Sequence, residues 1–226
     1  MRLIIFDLDQ TLVDFLSVHD QATRLLFRRS FDVDVRLTEI DFAGKSLTDN
    51  FEELARLKNI PEQVFRANKQ QALETYEAAF GEALRRDVPG CVLPGARELL
   101  DELSQTEHLV ALYTGNSAAI VDQVLQATGL GRYFRFCFYG TEVEERSDMV
   151  KMAIDEAHKS TGQRFSDGDI VVIGDSVRDI ESGKAYGALT IAVATGFHPR
   201  EELLEAEPDY IFDSLKAYRE ILAVIG

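Results

Sequence analysis

Short apolar runs recur along the chain, and each ends on small or polar residues. Leu3-Ile4-Ile5-Phe6 is the first, too short and too β-branched for a helix, and Asp7 follows it at once. A stretch of different character comes next. Apolar residues at helical spacing, among them Leu16, Ala22, Leu25, Leu26 and Phe27, predict an amphipathic helix over 15–30. The same period predicts helices over 46–58 and 62–84, the second with Pro61 at a permitted first-turn position. No strand is predicted between 15 and 86.

Beyond Pro94 the two periods alternate. Helices are predicted over 96–104, 118–127, 147–159 and 177–186, with a last one from Leu215. Between them lie strands over 108–114, 136–139, 169–174, 189–194 and 210–212. Strands alternating with helices imply an α/β fold, with a parallel sheet covered on both faces. Pro89-Gly90-Cys91-Val92-Leu93-Pro94-Gly95 reads as punctuation, and a second linker is expected near 13–15. The chain is therefore expected to divide into a core, 1–14 with 87–226, and a helical insert, 15–86.

Composition narrows the function classes. A net charge of −15 over 226 residues argues against a nucleic-acid partner or an anionic membrane surface. It also sits badly with an anionic substrate unless a local cation reverses the field. No apolar run approaches bilayer length, and the first one is too short for a signal peptide. Cys91 and Cys137 are the only cysteines, so no disulfide framework is expected and the cytoplasm is the default location.

The chemistry gathers at strand ends. Asp7-Leu8-Asp9, Thr114-Gly115-Asn116-Ser117 and Gly174-Asp175-Ser176-Val177-Arg178-Asp179 each close a predicted strand. Parallel strands share a direction, so these loops emerge on one edge of the sheet. Asp7, Asp9, Asp175 and Asp179 are then expected around one point, an oxygen-rich set that suits Mg²⁺. Alternation along the strand would send Asp7 and Asp9 to the same face. Thr114, Gly115 and Asn116 offer a hydroxyl and backbone N–H groups at a helix start, an anion site. Carboxylates, a divalent cation and an anion cradle together describe phosphoryl chemistry.

With these motifs in this order, the chain resembles the haloacid dehalogenase (HAD) superfamily, among its helical-cap members the phosphoglycolate phosphatases and β-phosphoglucomutases. The resemblance rests on Asp7-Leu8-Asp9-Gln10-Thr11-Leu12-Val13-Asp14, Thr114-Gly115-Asn116 and Gly174-Asp175-Ser176-Val177-Arg178-Asp179. It implies a Rossmann-like doubly wound sheet with a helical cap inserted after the first motif. It also implies a Mg²⁺-dependent phosphatase acting on a small phosphorylated metabolite. Asp7 would be the nucleophile that becomes an aspartyl phosphate, and Asp9 the acid and then the base. The metal would be held by Asp7, Asp175 and the backbone carbonyl of Asp9, with Asp179 as a further or outer ligand. Thr114 would bind the transferring phosphoryl group, helped by the N–H groups of Gly115 and Asn116.

Two positions depart from the family pattern. Gln10 replaces the usual glycine and is expected to line the site. The family's third motif supplies a lysine, and here Arg146, ahead of a predicted helix, is expected in its place, with Lys151 as the alternative. Lys45, in the loop Phe42-Ala43-Gly44-Lys45-Ser46 of the insert, is a substrate-reading candidate. His19, His108, His158 and His198 lack metal-ligand spacing and read as structural or surface groups. A phosphomutase of the β-phosphoglucomutase type stays open as an alternative. So do a receiver-like phospho-acceptor domain and a non-catalytic binding protein on the same fold. The charge balance supplies no reason to expect a protein partner.

Overall fold

The computed structural model describes residues 1–87 and 90–226. Its centre is β1 (Leu3–Phe6), buried along its whole length. Alternation divides the strand between two cores: Ile4 and Phe6 face one layer of helices, Leu3 and Ile5 the other. Each of these side chains is fully buried, which stabilises the fold by about 1.5–3 kcal/mol apiece. β1 pairs with β2 (Leu109–Thr114) on one side and with β4 (Ile170–Gly174) on the other, all parallel. β3 (Phe136–Tyr139), β5 (Leu189–Val193) and β6 (Tyr210–Phe212) complete a six-stranded sheet in the order β3-β2-β1-β4-β5-β6. That order reverses direction at β1, so a crevice opens beyond the carboxyl ends of β1, β2 and β4.

The insert is helical, as its period implies. α1 (Leu16–Phe31) lies along α3 (Glu62–Asp87), and α2 (Leu47–Leu57) packs on α3. Ser46 caps α2 by accepting from the Asp49 N–H at 3.1 Å. Phe15, Phe27, Phe51, Tyr76 and Phe80 make an aromatic seam between these helices. The two linkers run side by side: Val13 and Val92 form an antiparallel bridge, and Asp14 N–H bonds to Cys91 O at 2.7 Å. The Pro89 end of the second linker lies outside the described residues.

The remaining helices follow the predicted alternation, with ends displaced by one or two residues in most cases. They are α4 (Ala96–Leu103), α5 (Ala118–Thr128), α6 (Arg146–Thr161), α7 (Val177–Lys184), α8 (Arg200–Glu205) and α9 (Tyr218–Ile225). Two differences matter. α8 occupies a stretch where no helix was expected, because its six residues are mostly charged and show almost no period. The last helix begins at Tyr218, after a single 3₁₀ turn at Leu215–Ala217. Among the described residues no helix is long and apolar enough to cross a membrane.

Candidate active site

Asp7, Asp175 and Asp179 meet where β1 and β4 end, and one carboxylate oxygen from each lies within 4.8 Å of the others. All three are buried. Arg146, the first residue of α6, reaches into this cluster. Its Nη2 stands 2.5 Å from Asp7 Oδ1 and 2.6 Å from Asp179 Oδ1, and its Nε donates to Asp179 at 3.0 Å. The guanidinium lies over the Tyr113 ring, 4.3 Å from its centre. Lys151 sits one turn further along α6, exposed and paired with Asp155 at 3.1 Å. Of the two expected cations, only Arg146 is brought to the site.

The carboxylates are unequally served. Asp179 accepts from Arg146, from the Tyr113 hydroxyl at 2.5 Å, and from both N–H and Oγ of Ser176 at 2.9 and 2.7 Å. Burial works against its charge, yet Arg146 and these donors outweigh burial and hold it below the usual carboxylate range. Asp7 shares only the guanidinium. Burial and the charge of Asp179 push it up to about 8, against the pull of Arg146. Asp175 is raised too, by burial and then by Asp7 and Asp179, although Thr11 Oγ donates to it at 2.9 Å. With all three carboxylates ionised, one guanidinium would leave two negative charges unmatched, and that imbalance adds to burial in raising Asp7 and Asp175 in the absence of a cation. A divalent cation would balance the two charges, so the donor set fits Mg²⁺. The backbone after β5 closes over the cluster, since a Cβ on Gly196 would fall 1.6 Å from Asp175 Oδ2.

Asp9 parts company with Asp7. The strand ends at Phe6 and the chain turns, so the expected common face is lost. Asp9 accepts from Asn116 Nδ2 at 2.5 Å and contacts His19 Nε2 at 3.0 Å. His19 lies on α1 and is buried against Tyr76 and Phe80. Its Nδ1 hydrogen-bonds the Tyr76 hydroxyl. Burial, with Asp9 and Glu77 nearby, raises the Tyr76 phenol well above its ordinary value. The phenol therefore keeps its proton; where it donates that proton to Nδ1, Nε2–H is left as the donor to Asp9. His19, expected to be a structural or surface group, is buried and contacts a candidate catalytic carboxylate from the insert. His198 is also engaged, at 3.2 Å from Asp41.

The loop after β2 does two things. Thr114 is buried and faces the cavity, its Oγ accepting from Asn116 N–H and Nδ2 at 3.3 and 3.2 Å. Gly115 lets the insert dock. A Cβ there would lie 2.0 Å from Lys45 O, and Leu47 N–H bonds to Gly115 O at 2.9 Å. The docking continues around the rim, where Arg178 donates to Ala43 O at 2.6 Å and to Asp41 at 2.8 Å. Burial opposes the Asp41 charge, but Arg178 together with His198 holds that carboxyl low. Phe42 packs on Phe197, and Arg146 Nη1 donates to Gly44 O at 3.2 Å.

Between insert and core these contacts enclose a cavity of about 80 Å³ that reaches Asp7, Asp9, Thr114 and Arg146. Lys45 and Gln10 also line it. Lys45 Nζ, however, is bonded to Glu53. Gln10 adopts a left-handed backbone, φ 62°, which explains why the family prefers glycine at this position. Its amide donates to Asp14 at 2.7 Å. Tyr113, Tyr76, His19 and Asn50 complete the site's polar contacts and carried no sequence signal.

Comparison with known proteins agrees with this geometry. The sequence model of the haloacid dehalogenase-like hydrolases matches residues 4–193. A phosphoglycolate phosphatase of Vibrio parahaemolyticus is 24% identical, covering 99% of this chain and 97% of its own. One of Synechococcus elongatus is 26% identical over 95% of this chain and 93% of its own. The crystal structure of β-phosphoglucomutase from Clostridium difficile superposes with a TM-score of 0.79 at 18% identity, over 99% of both chains, a likeness of fold. With the family model spanning the first motif to the end of β5, the chain belongs to the haloacid dehalogenase-like hydrolases.

Proposed function

We propose that the protein is a Mg²⁺-dependent phosphatase that cleaves a small phosphate monoester through an aspartyl phosphate on Asp7. The observation that carries this reading is the separation of the paired carboxylates: Asp7 lies in the charged cluster, Asp9 against the insert and Asn116. A nucleophile and an acid–base need different surroundings, and two residues of chain supply both. The relatives named phosphoglycolate phosphatase support the reaction class.

Substrate enters with its phosphoryl group against Arg146 and Thr114 and its leaving group toward the insert. Asp7 attacks phosphorus in line, while Asp9 gives a proton to the departing oxygen. Asp9 then takes a proton from the water that cleaves the acyl phosphate, and Asp7 is restored. Arg146 neutralises charge building on the phosphoryl oxygens and is held for that task by Asp179 and Tyr113. Asp7, Asp175 and the Asp9 carbonyl would hold Mg²⁺, with Asp179 the anchor of Arg146. The ion supplies charge balance for the cluster and the phosphate. His19 and Asn116 fix the Asp9 carboxylate toward the leaving oxygen. Residues 15–86 act as a cap that closes over bound substrate and excludes water, hinged on the paired linkers. With only two cysteines and no disulfide framework, we place the enzyme in the cytoplasm.

A phosphomutase must also seat a sugar bisphosphate. It would return the phosphoryl group to the sugar and release little phosphate, which phosphate release distinguishes. The test is phosphate release from phenyl phosphate and a panel of metabolite monoesters, with Mg²⁺ and with EDTA. Mg²⁺-dependent release from wild type, absent in Asp7→Asn, is expected. Release in EDTA, or from the Asp7 variant, would remove the basis of the mechanism.

A further inference from the structure

The cap half of the cavity is electrically quiet. Its cation, Lys45, is tied to Glu53, and the guanidinium of Arg178 is spent on the rim against Asp41 and Ala43 O. Leu16, Leu37, Leu47 and Phe51 give the wall its apolar part, beside the neutral side chains of Thr23 and Tyr76. Among them sits Asn50, on the inner face of α2 and 6% exposed. Its Nδ2 donates to Phe42 O at 3.4 Å, so the amide orientation is set and Oδ1 is the free end. That oxygen is buried with no hydrogen-bond partner. A buried carbonyl left unpaired costs about 1–3 kcal/mol, and this one belongs to a residue that lines the substrate cavity.

We propose that the cap selects a short, uncharged, hydroxyl-bearing leaving group, and that Asn50 Oδ1 accepts the hydroxyl proton. The inference rests on the phosphatase reading and names the substrate class for that same site. A hydroxyl satisfies the orphan acceptor. A carboxylate has no proton to give it, and would approach the Asp9 carboxylate with the cap's cation already paired. The class is a phosphate ester of a small polyol, and a carboxylated ester such as phosphoglycolate is disfavoured. Size agrees: a cavity of about 80 Å³ holds roughly six waters, enough for a phosphoryl group and a leaving group of two or three carbons.

The experiment compares kcat/KM for glycerol 3-phosphate, 2-phosphoglycolate and phenyl phosphate in wild type, Asn50→Leu and Asn50→Lys, with thermal melts of each. Wild type is expected to favour glycerol 3-phosphate over 2-phosphoglycolate. Asn50→Leu should lower the ratio of glycerol to phenyl phosphate turnover about tenfold, the worth of one hydrogen bond, and melt no lower than wild type because it removes the orphan carbonyl. Asn50→Lys should swing the preference toward phosphoglycolate. A wild type that hydrolyses phenyl phosphate but prefers phosphoglycolate overturns the inference and leaves the phosphatase reading standing. So does an Asn50→Leu ratio equal to that of wild type. Failure on phenyl phosphate overturns both.

Discussion

The core and cap halves of the cavity are built on opposite terms. On the core side nearly every polar atom is committed: Asp179 alone accepts from Arg146, Tyr113 and Ser176. Once ionised, the cluster carries more negative charge than Arg146 neutralises, which suits a divalent cation and, through it, a phosphate. On the cap side the wall is largely apolar, the lysine is paired, and one acceptor is left open. The core half suits a group common to all substrates, and the cap half suits whatever distinguishes them. Variants of the core should therefore abolish turnover, and variants of the cap should reorder it.

The largest effect is expected from Asp7→Asn. If Asp7 is the nucleophile, as proposed, turnover should fall at least about a thousandfold, since covalent catalysis then has no second route. The fold should survive, because the variant removes a carboxylate that burial already pushes up to about 8. A variant retaining a tenth of wild-type kcat would deny Asp7 the covalent role. The same residue sets a pH dependence. Its folded value stands above its ordinary 3.8, so the folded protein holds a proton that the unfolded chain releases. Without divalent cation, stability should fall as pH rises from about 4 through about 8. Melts at pH 6 and pH 8 check this: the stabilisation by Mg²⁺ over EDTA should be larger at pH 8, where fewer protons compete for the carboxylates.

Arg146→Ala comes next, at about 2–4 kcal/mol of transition-state stabilisation. It also strands Asp7 and Asp179 in the interior, so a loss of about 3–5 kcal/mol in stability is expected alongside. Arg146→Lys keeps the charge without the fork and separates the two effects: its melt should recover more than its kcat/KM. Lys151→Ala, on exposed surface, should change neither by a measurable amount. The reverse ranking would move the phosphate-binding charge to Lys151.

His19→Gln tests the seam where cap meets core. If His19 orients Asp9, its loss should matter most where the departing oxygen most needs a proton. Turnover of glycerol 3-phosphate should fall about tenfold to a hundredfold, and that of 4-nitrophenyl phosphate, a good leaving group, far less. Equal losses on both would make His19 a packing residue of α1.

What could be read from the sequence divides along the same line. Asp7, Asp175 and Thr114 stand at strand ends, where residue type and a period of two locate them before any tertiary contact is known. Arg146 is legible only through the resemblance, which calls for a cation ahead of that predicted helix. Alternation does not place Asp9, because the strand stops at Phe6 and the chain turns before it. His19 and Asn50 lie on amphipathic helices with no spacing to mark them. Only the packing of α1 and α2 over the sheet turns a lone histidine and a lone amide toward the cavity. Tyr113 resembles any core aromatic until α6 brings Arg146 over its ring.

Among residues that line the cavity, the smallest effect should come from Lys45, and Glu53 decides its meaning. The ammonium lines the cavity but is bonded to Glu53 on the same face of the cap. While that pair holds, Lys45→Ala removes little that a neutral leaving group uses. The loss on glycerol 3-phosphate should stay within about threefold. Glu53→Gln should do more, because it frees the ammonium to meet an anionic leaving group. The ratio of phosphoglycolate to glycerol 3-phosphate turnover should then rise about tenfold, close to one charge-assisted hydrogen bond. Lys45→Ala placed on top of Glu53→Gln should return the ratio to its wild-type value. If Glu53→Gln leaves the ratio unmoved, the ammonium does not reach the leaving group and the cap's neutrality comes from its apolar wall alone. If Lys45→Ala slows every substrate equally, Lys45 acts on the phosphate, and the division between a chemical core and a reading cap fails at that residue.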